Sequence, residues 1–496
     1  MPNLILKRSK VKALVEPFIF ATLGRPSYEI LSLPAVCFLT WNRFDLGFKL
    51  LYLDLKEKNS AYARQVYEND IRSQTLGSFE EYGSEAKNSF EKYLKEFEET
   101  YQSIKRRGFD AQSRLIPLSD VGTIINGAHR IAAAIHTGRN VSCIRTEQPI
   151  MSCDYQYFFH RNVPASVLDS VANKFIEYAE GVYIAFLWPS GKGNLKVTES
   201  EFSNVIYKKQ ISLRATGGFN LIVELYKHMD WIGSADSGYP GAKQKLIECF
   251  PGLDPVTVIA FQADSIEDIK QIKDRIRQIN DIGFSSVHIT DTKEEAVRIS
   301  KLLFNENGIH FLNHADPNRF LTDKDLSLFN AFLDRNSVEP NDVLVDGSIV
   351  LSLYGFRKNE DVDFLVLESS VITAPDIAFE PHDSELVYHR KNKCDLIYNP
   401  ECFFEYLGLK FVSFHQLYQM KMNRIEGKDI NDCKLMKPLI ETDRFIRIIS
   451  GKKQSLFYFI IRSRKWTREK MMLSLHALGI YEPLRSIYRK LTGRSD

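Results

Sequence analysis

Asp361 and Asp363 stand one residue apart in "VDGSIVLSLYGFRKNEDVDFLVL", residues 345–367, within an otherwise apolar run. A strand turns alternate side chains to one face, so this spacing predicts that both carboxylates point one way while Val362 points the other. Two such groups suit a hard divalent cation, Mg²⁺ or Mn²⁺, which takes oxygen ligands. An ion of that kind serves phosphoryl and nucleotidyl transfer, where it neutralises the phosphate and acidifies the attacking hydroxyl. A third carboxylate usually completes a two-ion clamp. Asp395 in "NKCDLIYNP" is the candidate, read as a strand residue between Cys394 and Leu396, where a charge needs a partner.

Gly347 and Ser348 end the preceding apolar run. Glycine there lets backbone approach a phosphate, and the following helix presents free N–H groups to it. Twelve residues separate Ser348 from Asp361. Gly-Ser, a helix, Asp-Val-Asp and a later strand aspartate together resemble the nucleotidyltransferase superfamily that includes DNA polymerase β, the aminoglycoside nucleotidyltransferases and the minimal bacterial nucleotidyltransferases. The stretch "YQMKMNRIEGKDINDCKLM" is similar to the helix that follows the catalytic sheet in the small members. Lys421 and Arg424 share one face of it, and Lys428, Asp429 and Asp432 follow. The resemblance implies that Asp361, Asp363 and Asp395 bind metal, that Asp395 also acts as general base, and that Gly347, Ser348, Arg357, Lys421 and Arg424 hold phosphate.

A second anion site is expected in "GTIINGAHRIAAAIHTG", where Gly127, His129 and Arg130 fall at the start of a helix. This run resembles the superfamily shared by the ParB N-terminal domain, sulfiredoxin and some free-serine kinases. Sulfiredoxin carries its reactive cysteine where this chain has Ala128, so the resemblance implies nucleotide-phosphate binding rather than sulfinic acid repair.

The elements that must position these groups divide the chain into an α/β and α+β multidomain protein. Residues 1–150 form the ParB/sulfiredoxin-like unit. Its charged and aromatic residues between 52 and 112 recur at helical spacing with a stop at Gly108, and strand, turn, short strand, helix and strand follow over 113–144. Residues 151–325 form an α/β unit of unknown role. There "VTVIAFQ", "SSVHIT" and "IHFLN" read as strands separated by two amphipathic helices, an order that favours a partly parallel sheet. Residues 326–449 form the nucleotidyltransferase-like unit, with "LVYH" and "CDLIYN" as further strands and one or two helices over 413–439. Residues 450–496 form a basic amphipathic tail, with eleven Lys/Arg against three Asp/Glu.

Other signals are discounted. Gly233 and Gly238 have phosphate-loop spacing, but Tyr239 and Pro240 stand where Lys and Ser/Thr belong. "WPSGKGN" is read as a hairpin connection, and His288 as a core histidine. The seven scattered cysteines include no Cys-x-x-Cys pair, which argues against a zinc site and against a disulfide framework. A net charge of +2 gives no global nucleic-acid signal. No apolar run is long enough to span a bilayer. The expected location is cytoplasmic, with peripheral contact at the inner membrane through the tail.

The leading expectation is a Mg²⁺-dependent nucleotidyltransferase that moves a nucleotidyl group from an NTP to a small-molecule, saccharide or lipid-linked acceptor, as in bacterial envelope polysaccharide assembly. One alternative is a nucleotide-binding regulatory or scaffold protein without turnover. Another is a small-molecule phosphotransferase centred on His129 and Arg130.

Overall fold

The computed structural model describes residues 4–440 apart from 59, 81–87, 253, 321–322, 369–370, 375 and 377, with a further partly helical stretch inside 463–483. It is mixed α/β with three small sheets. The first sheet has the order β1-β2-β4-β3, built from Leu4–Lys7 (β1), Ser27–Pro34 (β2), Ile116–Leu118 (β3) and Asn140–Arg145 (β4). Helices Asp45–Leu55 (α1), Ala61–Gln74 (α2), Phe90–Arg107 (α3) and Ala128–His136 (α4) pack on one another, with α4 against β4. The aromatic stripe of α3 is buried as its spacing predicts, with Phe90, Tyr93, Phe97, Tyr101 and Ile104 turned inward. The helix ends where Gly108 takes φ +77°. Of the predicted short strand only a bridge between Leu118 and Ile124 forms.

The middle segment differs from its predicted pattern. After Ala165–Tyr178 (α5), its sheet is built from Val182–Leu187 (β5), Val205–Ile211 (β6), Val256–Gln262 (β7) and Val287–Ile289 (β8), in the order β6-β7-β5-β8. Every pairing in it is antiparallel. The expected parallel crossover fails because β5 lies between β7 and β8, so the two strands legible in the sequence never pair with each other. Helices Ala215–Tyr226 (α6), Pro240–Cys249 (α7), Ile266–Asn280 (α8) and Lys293–Leu303 (α9) pack around this sheet. "WPSGKGN" is a 3₁₀ turn, Pro189–Asn194, entering a short helix rather than a hairpin. "IHFLN" is also helical, within Glu306–His314 (α10), because Asn305 caps the chain by accepting from the amides of Asn307 and Gly308.

In the third segment Asp323–Arg335 (α11) precedes Val343–Asp346 (β9), Ser348–Leu353 (α12), Val362–Val366 (β10) and Phe379–Pro381 (β11). Leu386–His389 (α13), Lys393–Tyr398 (α14), Phe403–Tyr406 (β12), Leu409–Val412 (β13), Phe414–Arg424 (α15) and Gly427–Ile440 (α16) follow. The sheet order is β11-β10-β9-β13-β12, with β9 antiparallel to β10 and parallel to β13. "LVYH" and "CDLIYN" form helices α13 and α14, not strands. Four apolar residues fit either period, and here a cap decides the second of them.

One continuous set of buried apolar side chains runs from Ala35 in the first segment to Met436 in the last. Phe311 on α10 stacks on Phe404 at 4.7 Å, and Asn305 Nδ2 donates to the Phe403 carbonyl at 3.0 Å, so α10 belongs to the surroundings of β12. His310 sits in that seam with Nδ1 2.8 Å from the Tyr354 hydroxyl and its ring 4.5 Å from that of His314. Burial, then the charges of His415 and Arg214, pulls His310 down to about 4. Burial, then His310 and Arg214, pulls His314 down to about 3. Both rings are neutral in the native protein and gain a proton on unfolding below their ordinary value of 6.5. The stability they contribute is therefore complete above that value and is lost as pH falls toward 4, by about 2 kcal/mol for one such ring at pH 5. Urea midpoints are expected to drop between pH 7 and pH 5, and His314→Gln is expected to shallow that drop.

No described helix is long and apolar enough to cross a membrane. Residues 470–477 of the tail are helical, whereas 441–462 and 484–496 lie outside the described residues, so the tail's expected membrane contact falls largely beyond them.

Candidate functional site

β9 runs through Asp346 into Gly347, whose φ of +72° turns the chain into α12. The antiparallel register sets Asp363 of β10 opposite Asp346, and the parallel pairing with β11 sets it beside Glu380. Asp361 lies just before β10, exposed, and Asp363 is half-buried within it, with Val362 buried between them. A Cβ on Gly347 would collide with the Asp363 carboxylate, so glycine is needed both for the turn and for this approach. Gly347→Ala is accordingly expected to cost about 2 kcal/mol in urea unfolding and to push Asp363 out of place.

These residues open onto a cavity of about 440 Å³ that collects Gly347, Ser348, Arg357, Asp361 and Asp363 with Lys421 and Arg424. Seven of the eight residues expected around the aspartate pair thus share one space. Its lining holds four Lys/Arg, namely Arg357, Lys421, Arg424 and Lys428, against five Asp/Glu, namely Glu360, Asp361, Asp363, Glu385 and Glu426. A polyphosphate gains little from such a balance unless it arrives with its own counter-ions.

The cations are also largely committed. Arg357 grips Asp432 bidentately at 2.7 and 2.9 Å. Lys421, 2% exposed, lies 3.0 Å from Asp429 and 2.8 Å from Asp432. Arg424 holds Asp429 at 2.8 and 2.9 Å and Glu385 at 3.2 Å. Lys421 and Arg424 therefore serve first as ties between α15, α16 and the loop after β11. Lys428 is the looser charge, with its side chain 65% exposed and 3.7 Å from Glu426.

Behind the aspartate pair lies a buried acid–imidazole chain. Asp346 is fully buried, with Oδ2 2.8 Å from His389 Nε2 and 3.4 Å from His382 Nδ1. Gln416 Nε2 lies 3.3 Å from His389 Nδ1 and donates to the His389 carbonyl at 3.0 Å. Those partners assign the donor nitrogen of His389 to Nε2, facing Asp346. His382 Nε2 reaches to 4.0 Å from Asp363. Burial raises Asp363 to about 6; His382 pulls against this, while Asp361 and Asp346 add to it. Burial opposes charge on His382, but the Asp346 carboxylate at 3.4 Å and the charge of Asp363 outweigh that and raise it. Burial also opposes charge on Asp346, yet the two imidazoles hold it below the usual carboxylate range.

Asp395 is a correction. It occupies the first turn of α14, where its amide donates to Asn392 Oδ1 at 2.7 Å and its carboxylate accepts from Asn392 Nδ2. That reciprocal cap uses the side chain, and Asp395 is absent from the cavity lining. Among the described residues no group of three or more His, Cys, Asp or Glu is arranged to hold a metal ion. Two oxygen-donor carboxylates facing one polar cavity still fit Mg²⁺, which commonly takes one or two protein carboxylates and completes its shell with water and phosphate. Comparisons with protein-family models, curated proteins and solved structures find no match to this chain.

At the other expected site Gly127 opens α4 with φ +99°, and His129 and Arg130 follow it. Each side chain is engaged within the protein. Tyr67 Oη lies 2.9 Å from His129 Nε2, and the Phe97 ring is 4.8 Å from the imidazole. The Arg130 guanidinium meets Glu16 at 3.1 Å and the Leu115 carbonyl at 3.2 Å. An internal carboxylate thus stands where a phosphate was expected.

Sequence reasoning missed Asp346, His382, His389 and Gln416. Asp346 left a signal, a charge directly before Gly347 in an apolar strand. The two histidines of "FEPHDSELVYHR" follow no spacing that marks them.

Proposed function

We propose that residues 326–449 form a nucleotidyltransferase unit that uses Asp361 and Asp363, with Mg²⁺ or Mn²⁺, to transfer a nucleotidyl group from an NTP to a hydroxyl acceptor. The observation that carries this reading is the meeting of Gly347, Ser348, Asp361 and Asp363 in one polar cavity. Bound there, the ion would neutralise the triphosphate and lower the pKa of the attacking hydroxyl. The chain's own groups have separable roles. Gly347 leaves room for the Asp363 carboxylate to sit against the turn, and Lys428 offers an exposed positive charge. His382, raised by its two acidic neighbours, faces Asp363 at 4.0 Å and would donate its Nε2 proton toward phosphate oxygen. On this reading residues 1–150 are a ParB/sulfiredoxin-like unit and the acceptor is a small molecule, saccharide or lipid-linked intermediate.

A second reading, nucleotide sensing without turnover, is favoured by one observation: Asp395 caps a helix and leaves the aspartate pair without its expected third carboxylate. Incubating the full chain with Mg²⁺ and each labelled NTP, with a panel of sugar phosphates and lipid-linked sugars, separates the two. Pyrophosphate release with label on an acceptor supports transfer. Saturable NTP binding with neither supports sensing.

A further inference from the structure

The middle segment holds a second cavity, of about 640 Å³, that the aspartate site does not use. Its volume falls within the range of small-molecule sites rather than that of a flat protein interface. Tyr226 at the end of α6, Trp231 in the turn that follows, and Phe284 before β8 give it three aromatic faces. Trp231 is 49% exposed and Phe284 74% exposed, so neither ring is placed there to fill a core. Tyr226 lies 5.2 Å from Trp231 and 4.9 Å from His288, which continues the aromatic lining onto β8.

Charge completes the site. Lys245, Lys273 and Arg277 line it with one carboxylate, Glu248, and Lys273 also pairs at 2.9 Å with Asp291, a carboxylate 67% exposed that an incoming anion would displace. Lys245 donates to the Phe284 carbonyl at 2.8 Å and so braces the segment that carries that ring. Arg277 lies over the Phe284 ring at 4.6 Å, and its terminal nitrogen pairs at 3.1 Å with Asp274, a carboxylate 65% exposed. Two buried polar atoms here lack a hydrogen-bond partner, Arg277 Nε and His288 Nε2. Glu295, the nearest carboxylate to His288, is 3.7 Å away. Both atoms are closed off from the solvent of the cavity, so they belong to the packing of its wall and the ligand meets the cations that face the space.

We propose that this cavity binds a flat heteroaromatic or aromatic ring bearing an anionic group, with the ring stacked on Trp231 and the anion met by Arg277 and Lys273. Nucleoside monophosphates and aromatic carboxylates share this chemistry. The test uses the full chain carrying Asp361→Asn and Asp363→Asn, in EDTA, so that metal-dependent binding at the first cavity is removed. AMP and UMP form one arm, and 4-hydroxybenzoate and indole-3-carboxylate the other. Binding is read by calorimetry and by tryptophan fluorescence. Saturable binding in one arm is expected, weakened about tenfold or more by Trp231→Ala and again by Arg277→Met. Both variants should keep the parent's thermal midpoint, because Trp231 is half exposed and the ion pair of Arg277 is with an exposed carboxylate, Asp274. The arm that binds names the source of the ligand. Absence of saturable binding in both arms, or binding that neither variant weakens, overturns the proposal.

Discussion

Replacing Asp361 and Asp363 together by asparagine is expected to lower pyrophosphate release by about three orders of magnitude or more, the scale lost when charge stabilisation at a transferring phosphate is removed. The fold is expected to survive. Asp363 is raised to about 6 by burial and by its acidic neighbours Asp361 and Asp346, so the native state holds that proton more tightly than the unfolded chain does. The stability linked to its protonation is present at low pH and lost as pH rises through about 6. Neutralising the side chain therefore stabilises the protein above that point, by about 1 to 2 kcal/mol, and the gain fades as pH falls toward 4. Urea titrations of Asp363→Asn at pH 7.5 and pH 4.5 give the check. A variant both inert and more stable at pH 7.5 is the signature of a carboxylate held in place for chemistry. A variant less stable at pH 7.5 would mark Asp363 as a packing residue and remove the basis for the transfer reading.

The second large effect is expected at Lys421. Its ammonium is 2% exposed and lies between Asp429 and Asp432, themselves buried, while Arg424 and Arg357 close the far sides of those carboxylates. Lys421→Met leaves the two acids short of one positive charge in a site with little water, and a loss of about 3 kcal/mol in urea unfolding is expected. Lys428→Met should leave stability within about 0.5 kcal/mol, because that side chain is exposed, while raising the KM for NTP. If Lys421→Met instead keeps the parent's urea midpoint and raises KM, the ammonium is free for phosphate and the tie drawn from the geometry is wrong.

The difference between Lys421 as read and Lys421 as placed shows where the sequence stops informing. Strand β9, the Gly347 turn, α12 and β10 were legible because each carries its own local cause: apolar runs, a glycine at positive φ and a pair of charges at strand spacing. The stop at Gly108 and the opening at Gly127 were legible on the same ground. The partners of Lys421, Arg424 and Arg130 were not, since Asp432, Glu385 and Glu16 meet them only after folding. Asp395 was misread because "CDLIY" satisfies strand and helix periods equally, and the deciding contact is a side chain three residues upstream. The antiparallel order of the middle sheet stayed hidden for a different reason. β5 and β6 were not read as strands, and pairing between distant strands leaves no local mark. Among the described residues, the acid–imidazole chain behind Asp363 is likewise a product of tertiary contact alone.

Phe311 and Asn305 belong by number to the middle stretch, yet they rest on β12 of the last sheet. A clone begun at residue 326 would leave that sheet with its greasy flank bare, and clumping during expression is what such a fragment should show. The chain does not come apart into interchangeable cassettes, and anyone borrowing its aspartate pocket for engineering must carry α10 along with it.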